Sequence, residues 1–226
     1  MKRFAVITGG GLGTRLNNTL PKQFLCLKGT PVIMLTIQQF VPFCDKIIVS
    51  LPENYHDYWI KLQAKYHFFI PHVLVSGGVT RFESVKNALE YISDEGWVAI
   101  HDAVRPFVSE ILIEKCFVEA NKYGNAVSSL PMTESVRMID EQGKNKSIDR
   151  NAFFKIQTPQ VFRCNEIKKA YRQDYQSVFT DDAAVLESAG YAIHLTKGEE
   201  QNLKITTPTD FLFAETLAMK LGKSLF

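Results

Sequence analysis

Phe4-Ala5-Val6-Ile7-Thr8-Gly9-Gly10-Gly11-Leu12-Gly13-Thr14-Arg15 sets a short apolar run directly against four glycines and a cation. Apolar residues in succession, with no polar alternation, mark a strand buried on both faces. Such strands belong to the interior of sheets covered by helices on either side. In an open sheet of that kind, ligands bind beyond the carboxyl ends of the strands. The glycine loop therefore lies where a ligand belongs, and its N–H groups can wrap an anion. From Gly11 to Gly29 no helical or strand period appears, and a connection this long is usually functional. It carries Arg15 and, after Pro21, Lys22.

The rest of the chain repeats the alternation. Ile47-Ile48-Val49, His72 to Val75, Val98-Ala99-Ile100 and Ala126 to Leu130 are expected strands. Between them, helices are expected from Thr30-Pro31 to Phe40, over Tyr55–Tyr66, after Thr80 and after Ser109. Thr80-Arg81-Phe82-Glu83 is a capping box, with a hydroxyl at the cap and Glu three residues on. Strand–helix alternation implies an α/β, Rossmann-like, mostly parallel twisted sheet flanked by helices. After Pro131 the pattern changes. Val136 to Ile139 alternates, Asp140 to Lys146 is a polar turn, and Ser147 resumes. A two-stranded hairpin with so little apolar content is marginal alone, so it is read as an arm for dimerisation, with a surface hairpin on its own domain as the alternative. Thr207-Pro208-Thr209-Asp210 starts a last helix.

Composition narrows the function. The 226 residues carry 26 Lys and Arg against 24 Asp and Glu, a formal charge of +2. That is too mild for bulk binding of nucleic acid or a membrane surface. No apolar run approaches the ~20 residues of a membrane span. Cys26, Cys44, Cys116 and Cys164 match no zinc spacing and read as reduced thiols of a cytoplasmic protein. With a strand opening the chain, no secretory leader is expected.

Two standard nucleotide motifs fail. The dinucleotide fingerprint puts Thr14 or Leu16 where its last glycine belongs, and Gly222-Lys223-Ser224 lacks the first glycine of a P-loop. A glycine loop with Arg15 and Lys22 remains, which suits a nucleotide triphosphate. Gly77-Gly78, leading into a helix with Ser84, allows close contact with a flat base. Asp102, at a strand's carboxyl end, is a natural Mg²⁺ ligand beside phosphates. Arg105 can pair with it or hold a substrate anion, while His101 is read as a packed strand-end residue. Thr180-Asp181-Asp182 opens a helix: Thr180 can cap it, and capping or the helix dipole can account for Asp181 and Asp182 as well. Asn202 to Thr206 is expected to be a final strand, and Lys204 within it is costly to bury without an anion.

Taken in order, Gly-Gly-Gly-Leu-Gly-Thr-Arg at 9–15, Pro-Lys-Gln at 21–23, Gly-Gly at 77–78 and His-Asp-Ala-Val-Arg-Pro at 101–106 resemble the 2-C-methyl-D-erythritol 4-phosphate cytidylyltransferase (IspD) family. Asp-Arg-Asn at 149–151, Thr-Pro-Gln at 158–160, Thr-Asp-Asp-Ala at 180–183 and Asn-Leu-Lys-Ile-Thr at 202–206 continue the match. The resemblance implies one nucleotidyltransferase domain over residues 1–226, with a β-arm at 132–152 that joins a homodimer. It implies that the phosphate of methylerythritol phosphate attacks the α-phosphorus of CTP, with Mg²⁺, and releases pyrophosphate. Arg15, Lys22 and Lys204 would stabilise the charge. Gly9, Gly10, Gly11, Gly13, Gly78, Ser84 and Asp102 would bind the nucleotide. Arg105, Ser135, Arg150, Thr158 and Thr180 would bind the second substrate, arm residues reaching the neighbouring subunit's site. Val79 stands where the family commonly has an acidic residue. A ribitol 5-phosphate cytidylyltransferase shares several of these motifs, but Thr180 to Ala184 and Asp149 to Asn151 favour the methylerythritol enzyme. A non-catalytic nucleotide-binding regulator is the reading from another class.

Overall fold

The computed structural model of the chain describes residues 1–10 and 20–221. β1 (Arg3–Thr8) opens it, and β2 (Cys26–Leu27) and β3 (Thr30–Pro31) form a small antiparallel pair before α1 (Val32–Phe40). Thr30 does not cap α1. Its backbone pairs with Leu27, Pro31 takes the cap position, and no side chain caps that helix. β4 (Lys46–Leu51), α2 (His56–Lys65), β5 (Val73–Ser76), α3 (Arg81–Leu89) and β6 (Trp97–Asp102) then follow the expected alternation. α4 (Glu110–Tyr123) has Ser109 at its cap, accepting from the Leu112 N–H, and ends on Gly124 in the left-handed conformation. β7 (Asn125–Pro131) leads to the hairpin of β8 (Val136–Ile139) and β9 (Asn145–Ile148). β10 (Phe154–Arg163), α5 (Cys164–Ala170), α6 (Asp182–Ser188), β11 (Leu195–Lys197) and α7 (Pro208–Leu221) complete the chain.

Seven strands pair in the order β11-β7-β10-β6-β1-β4-β5. β1 is parallel to β4 and to β6, and β4 is parallel to β5. The chain winds outward from β1 through β4 to β5, then returns to place β6 on the other side of β1. Strand order reverses there, which opens a crevice at the carboxyl ends of β1 and β6. Thr8 and Asp102 are register partners at that point.

Alternate residues of β1 explain its unbroken apolar run. Ala5 and Ile7 pack with α1, α2 and α4, while Phe4 and Val6 pack with α3, α5 and α6. A third cluster, with Leu27, Val32, Phe107, Ile205 and Ala214, seats α7.

The sheet is mostly parallel as expected, with β10 the exception, and a further expectation is corrected. β10 is antiparallel to both neighbours, and Thr158-Pro159-Gln160 lies inside it, at a register shift between Ile156 and Gln160. The chain re-enters from the hairpin with no crossover helix, and a parallel strand needs such a crossover. Asn202 to Thr206 is not a strand. That segment is irregular, with the Ile205 N–H donating to the Val104 carbonyl. β11 and α5 went unassigned from the sequence.

The core also holds a titratable contact. Trp59 is fully buried and donates its indole N–H to His72 Nε2 at 3.0 Å, so His72 donates from Nδ1 to the Ile70 carbonyl. Burial pushes the His72 pKa down. Its neutral form is the one that accepts from Trp59, so this stability is complete above the unfolded value near 6.5 and declines as pH falls below it. The urea midpoint of wild type should therefore drop more between pH 7 and 5 than that of His72→Gln. Parallel curves would remove His72 from this account.

Candidate active site

α3 begins where the sequence places it. Thr80 Oγ1 accepts from the Glu83 N–H at 3.1 Å, and Glu83 Oε2 accepts from the N–H groups of Thr80 and Val79. This box fixes the paired-glycine turn above α3. Ser84, buried one turn in, accepts from the Gly78 N–H at 3.1 Å and donates to the Thr80 carbonyl. Gly78 lies so close to α3 that an added Cβ would overlap Glu83. Gly10 faces Ser84 from across the crevice, where a Cβ would stand 3.0 Å from its hydroxyl. Gly9 is held from two sides: its N–H donates to the Ser50 carbonyl, and its carbonyl accepts from Gln23 Nε2 at 2.6 Å.

These elements wall a cavity of about 430 Å³, lined by Gly9, Gly10, Lys22, Ser84, Asp102, Lys204 and neighbours. A second cavity of about 240 Å³ adjoins it, lined by Arg105, Thr158, Thr180 and Asp181 among others. Arg81, Asp102 and Lys204 line both.

Asp102 is the common floor. Its Oδ2 meets Lys204 Nζ at 3.0 Å and Arg105 Nε at 3.1 Å, and its Oδ1 lies 3.5 Å from Arg81 Nε. Burial alone would raise its pKa, but Lys204, Arg81 and Arg105 overcome that and hold the carboxyl well below the usual range. Its backbone N–H donates to Thr158 Oγ1 at 3.1 Å. Arg105 is also pinned by the Asn202 carbonyl at 2.8 Å. His101, buried beneath, can only donate from Nε2 to the Arg105 carbonyl, and burial lowers its pKa to about 4. It is a neutral support for the turn.

The structure thus brings together Gly9, Gly10, Gly78, Ser84, Lys22, Asp102, Arg105, Thr158, Thr180 and Lys204. Gly11, Gly13 and Arg15 lie outside the described residues. Ser135 and Arg150 are exposed on and beside the arm and line neither cavity, Arg150 donating to the Thr133 carbonyl. Thr180 does not cap α6. Asp181 does, accepting from the Ala184 N–H. Asp182 is more than a helix-dipole partner: fully buried, it takes a bidentate pair from Arg81 at 2.9 and 2.6 Å. The sequence reading passed over Arg81, Gln23 and Gln160. For Arg81 a signal existed, because a cation in the first turn of a helix opposes the dipole and needs a counter-charge.

Asp102 does not suit a protein-held metal ion. Both of its oxygens already face cations, and among the described residues no group of three or more His, Cys, Asp or Glu could hold a metal. At the junction Arg81, Arg105 and Lys204 meet two carboxylates, Asp102 and Asp182, and Lys22 lines the larger cavity, so positive charge is in excess and suits an anion.

Comparison with known proteins identifies the family. The family model described as IspD, 2-C-methyl-D-erythritol 4-phosphate cytidylyltransferase, matches residues 4–220. Proteins of that name from Porphyromonas gingivalis and Bacteroides fragilis are 44% and 43% identical, over 96% of this chain and 97% and 100% of theirs. The crystal structure of the Francisella tularensis protein has a TM-score of 0.81 at 28% identity, covering 96% of this chain and 100% of that one. The Thermus thermophilus structure gives 0.77 at 29%, covering 97% and 100%.

Gly78→Ala tests the wall. Overpacking of this kind costs about 1–3 kcal/mol, and here it also displaces Glu83 from the Val79 and Thr80 amides. A lower melting temperature together with weaker CTP binding by calorimetry is expected. Unchanged CTP affinity would mean that this turn does not shape the nucleotide cavity.

Proposed function

The chain belongs to the 2-C-methyl-D-erythritol 4-phosphate cytidylyltransferase family, and we propose the following division of labour for its reaction. The enzyme transfers the cytidylyl group of CTP to methylerythritol phosphate in isoprenoid synthesis. A phosphate oxygen of the acceptor bonds to the α-phosphorus, the bond from that phosphorus to its bridging oxygen breaks, and pyrophosphate leaves. The attacking oxygen is already anionic, so no strong base is needed. The obstacle is the approach of one anion to another.

The observation that supports this reading best is the shared floor of the two cavities. CTP occupies the larger one, its base against Gly10, Gly78 and Ser84. Methylerythritol phosphate occupies the smaller, with Arg105, Thr158 and Thr180. The two reacting phosphates then meet above Asp102, where Lys204 faces both. Lys22 lies on the triphosphate side, and we assign Arg15 there too. A held cation at such a junction contributes on the order of 10²–10³ in rate, and fixed alignment of the two phosphates supplies another large share. Mg²⁺ brought in with CTP would neutralise phosphate charge. Asp102 is left to the protein's own cations.

We also propose that the hairpin joins two copies of the chain, with Ser135 and Arg150 completing the neighbour's site. Ile139, Phe153 and Phe154 are 69%, 42% and 44% exposed there. The reaction is placed in the cytoplasm. No helix among the described residues is long and apolar enough to cross a membrane.

Pyrophosphate release from CTP and Mg²⁺, with methylerythritol 4-phosphate and ribitol 5-phosphate run side by side, tests the reaction. Turnover is expected with the first, and preference for the second would move the acceptor to a polyol phosphate. Lys22→Ala should cut turnover on the order of 10²-fold with a smaller change in CTP binding. A loss confined to affinity would favour a nucleotide-binding regulator. Mixed Lys22→Ala and Arg150→Ala subunits should regain part of the activity that each lacks alone. Hybrids that form yet stay inactive would confine Arg150 to its own subunit.

A further inference from the structure

The position of Arg81 at the junction is over-determined. Its guanidinium makes two bonds to the fully buried Asp182, and Tyr171 donates its hydroxyl to the same carboxylate at 2.5 Å. Its remaining Nε points to Asp102 Oδ1. Burial opposes its charge, and Asp182 and Asp102 more than restore it. Lys204 is different. It is a single ammonium, 41% exposed, resting on the other oxygen of Asp102. Lys204 is therefore the member free to exchange its carboxylate for a phosphate, and Arg81 is the member fixed to stay.

We propose that Arg81 is a positioning residue for both substrates, holding Asp102 in place and in charge balance while Lys204 turns to the reacting phosphates. The inference deepens the cytidylyltransferase reading and rests on it. Without Arg81, the departure of Lys204 would leave Asp102 with Arg105 as its one remaining cation, and Asp102 could swing to follow the lysine. Arg81 acts through Asp102 and makes no bond in the reaction. The same residue ties the two cavities together, because Asp182 begins α6 and the residues just before it, Thr180 and Asp181, line the second cavity. Gln160 clamps that helix start from the other side. Its Nε2 donates to Asp181 at 2.9 Å, and its Oε1 accepts from the Ala183 N–H at 2.8 Å.

Arg81→Lys keeps the charge and loses the fork, so one ammonium cannot serve Asp102 and both oxygens of Asp182 at once. With CTP, Mg²⁺ and methylerythritol 4-phosphate, kcat should fall on the order of 10²-fold, the scale of a small misplacement at a reacting centre. The KM for CTP should move by less than about threefold. The decisive arm is the Asp102→Asn background. If Arg81 works through Asp102, Arg81→Lys should change kcat there by less than about twofold, since residues acting as a unit are not additive. Asp182→Asn should reproduce the Arg81→Lys defect in otherwise unchanged protein. If circular dichroism shows that either variant fails to fold, Tyr171→Phe takes its place, removing one bond to Asp182 with a smaller loss of kcat that must also vanish in the Asp102→Asn background. Additive losses, or an Arg81→Lys enzyme with wild-type kcat, overturn the proposal while leaving the enzyme assignment intact. Wild-type protein that releases no pyrophosphate with either acceptor takes down both.

Discussion

A buried carboxylate surrounded by cations governs this molecule's working end. Asp102 sits at the end of β6, and taking an ion out of water there is expensive. The chain offsets that cost with three positive side chains, one from the adjoining turn after β6 and two from distant segments, the start of α3 and the irregular segment before α7. Each of those segments is therefore tied to the crevice through one residue. The arrangement also explains why the segment from Asn202 to Thr206 gives up strand pairing. Its Ile205 is seated in the core beside α7, and its Lys204 turns to the carboxylate. A strand's two-residue alternation can place side chains on opposite faces, but the pairing that defines a strand would need a free edge at this point.

Fold and site were legible to different depths. The apolar runs of β1, β4 and β6 announced a sheet covered on both faces, and the capping residues Thr80, Ser109 and Thr207 marked helix starts correctly. These are local effects, carried by a few neighbouring residues. The antiparallel entry of β10 was not legible, because its direction depends on where the hairpin returns the chain. The three-residue β11 was missed, and between Thr180 and Asp181 the sequence left the cap of α6 open, because two adjacent polar residues can each cap and tertiary contacts choose between them. Glycines and cations after strands were legible as a ligand site because of where strands end. Arg81 was hidden in plain view, since its capping box gave a sufficient local reason for the segment and its counter-charge lies 101 residues away.

Rigid and loose parts are divided consistently. Gly9, Ser84, Thr158 and Asp102 are pinned by backbone bonds, and Arg81 by a buried carboxylate. Lys204 is attached by one contact and half exposed. Electrostatic stabilisation is strongest when the dipoles need not reorganise during reaction, so a fixed frame with one mobile ammonium is a sound division. The hairpin of the same chain lies outside this frame and lines neither cavity.

That the two cavities adjoin over one shared floor has a consequence for ligand design. A single molecule carrying a cytidine-like group and a short polyol, joined through an anionic bridge at the Asp102–Lys204 junction, would engage both at once. Its second half would bind at the effective concentration set by the linker, which for a short flexible tether is on the order of millimolar. A stiff tether of matching span would lose less freedom on binding. Specificity would come from the distance between the two cavities, a dimension that neither substrate alone samples.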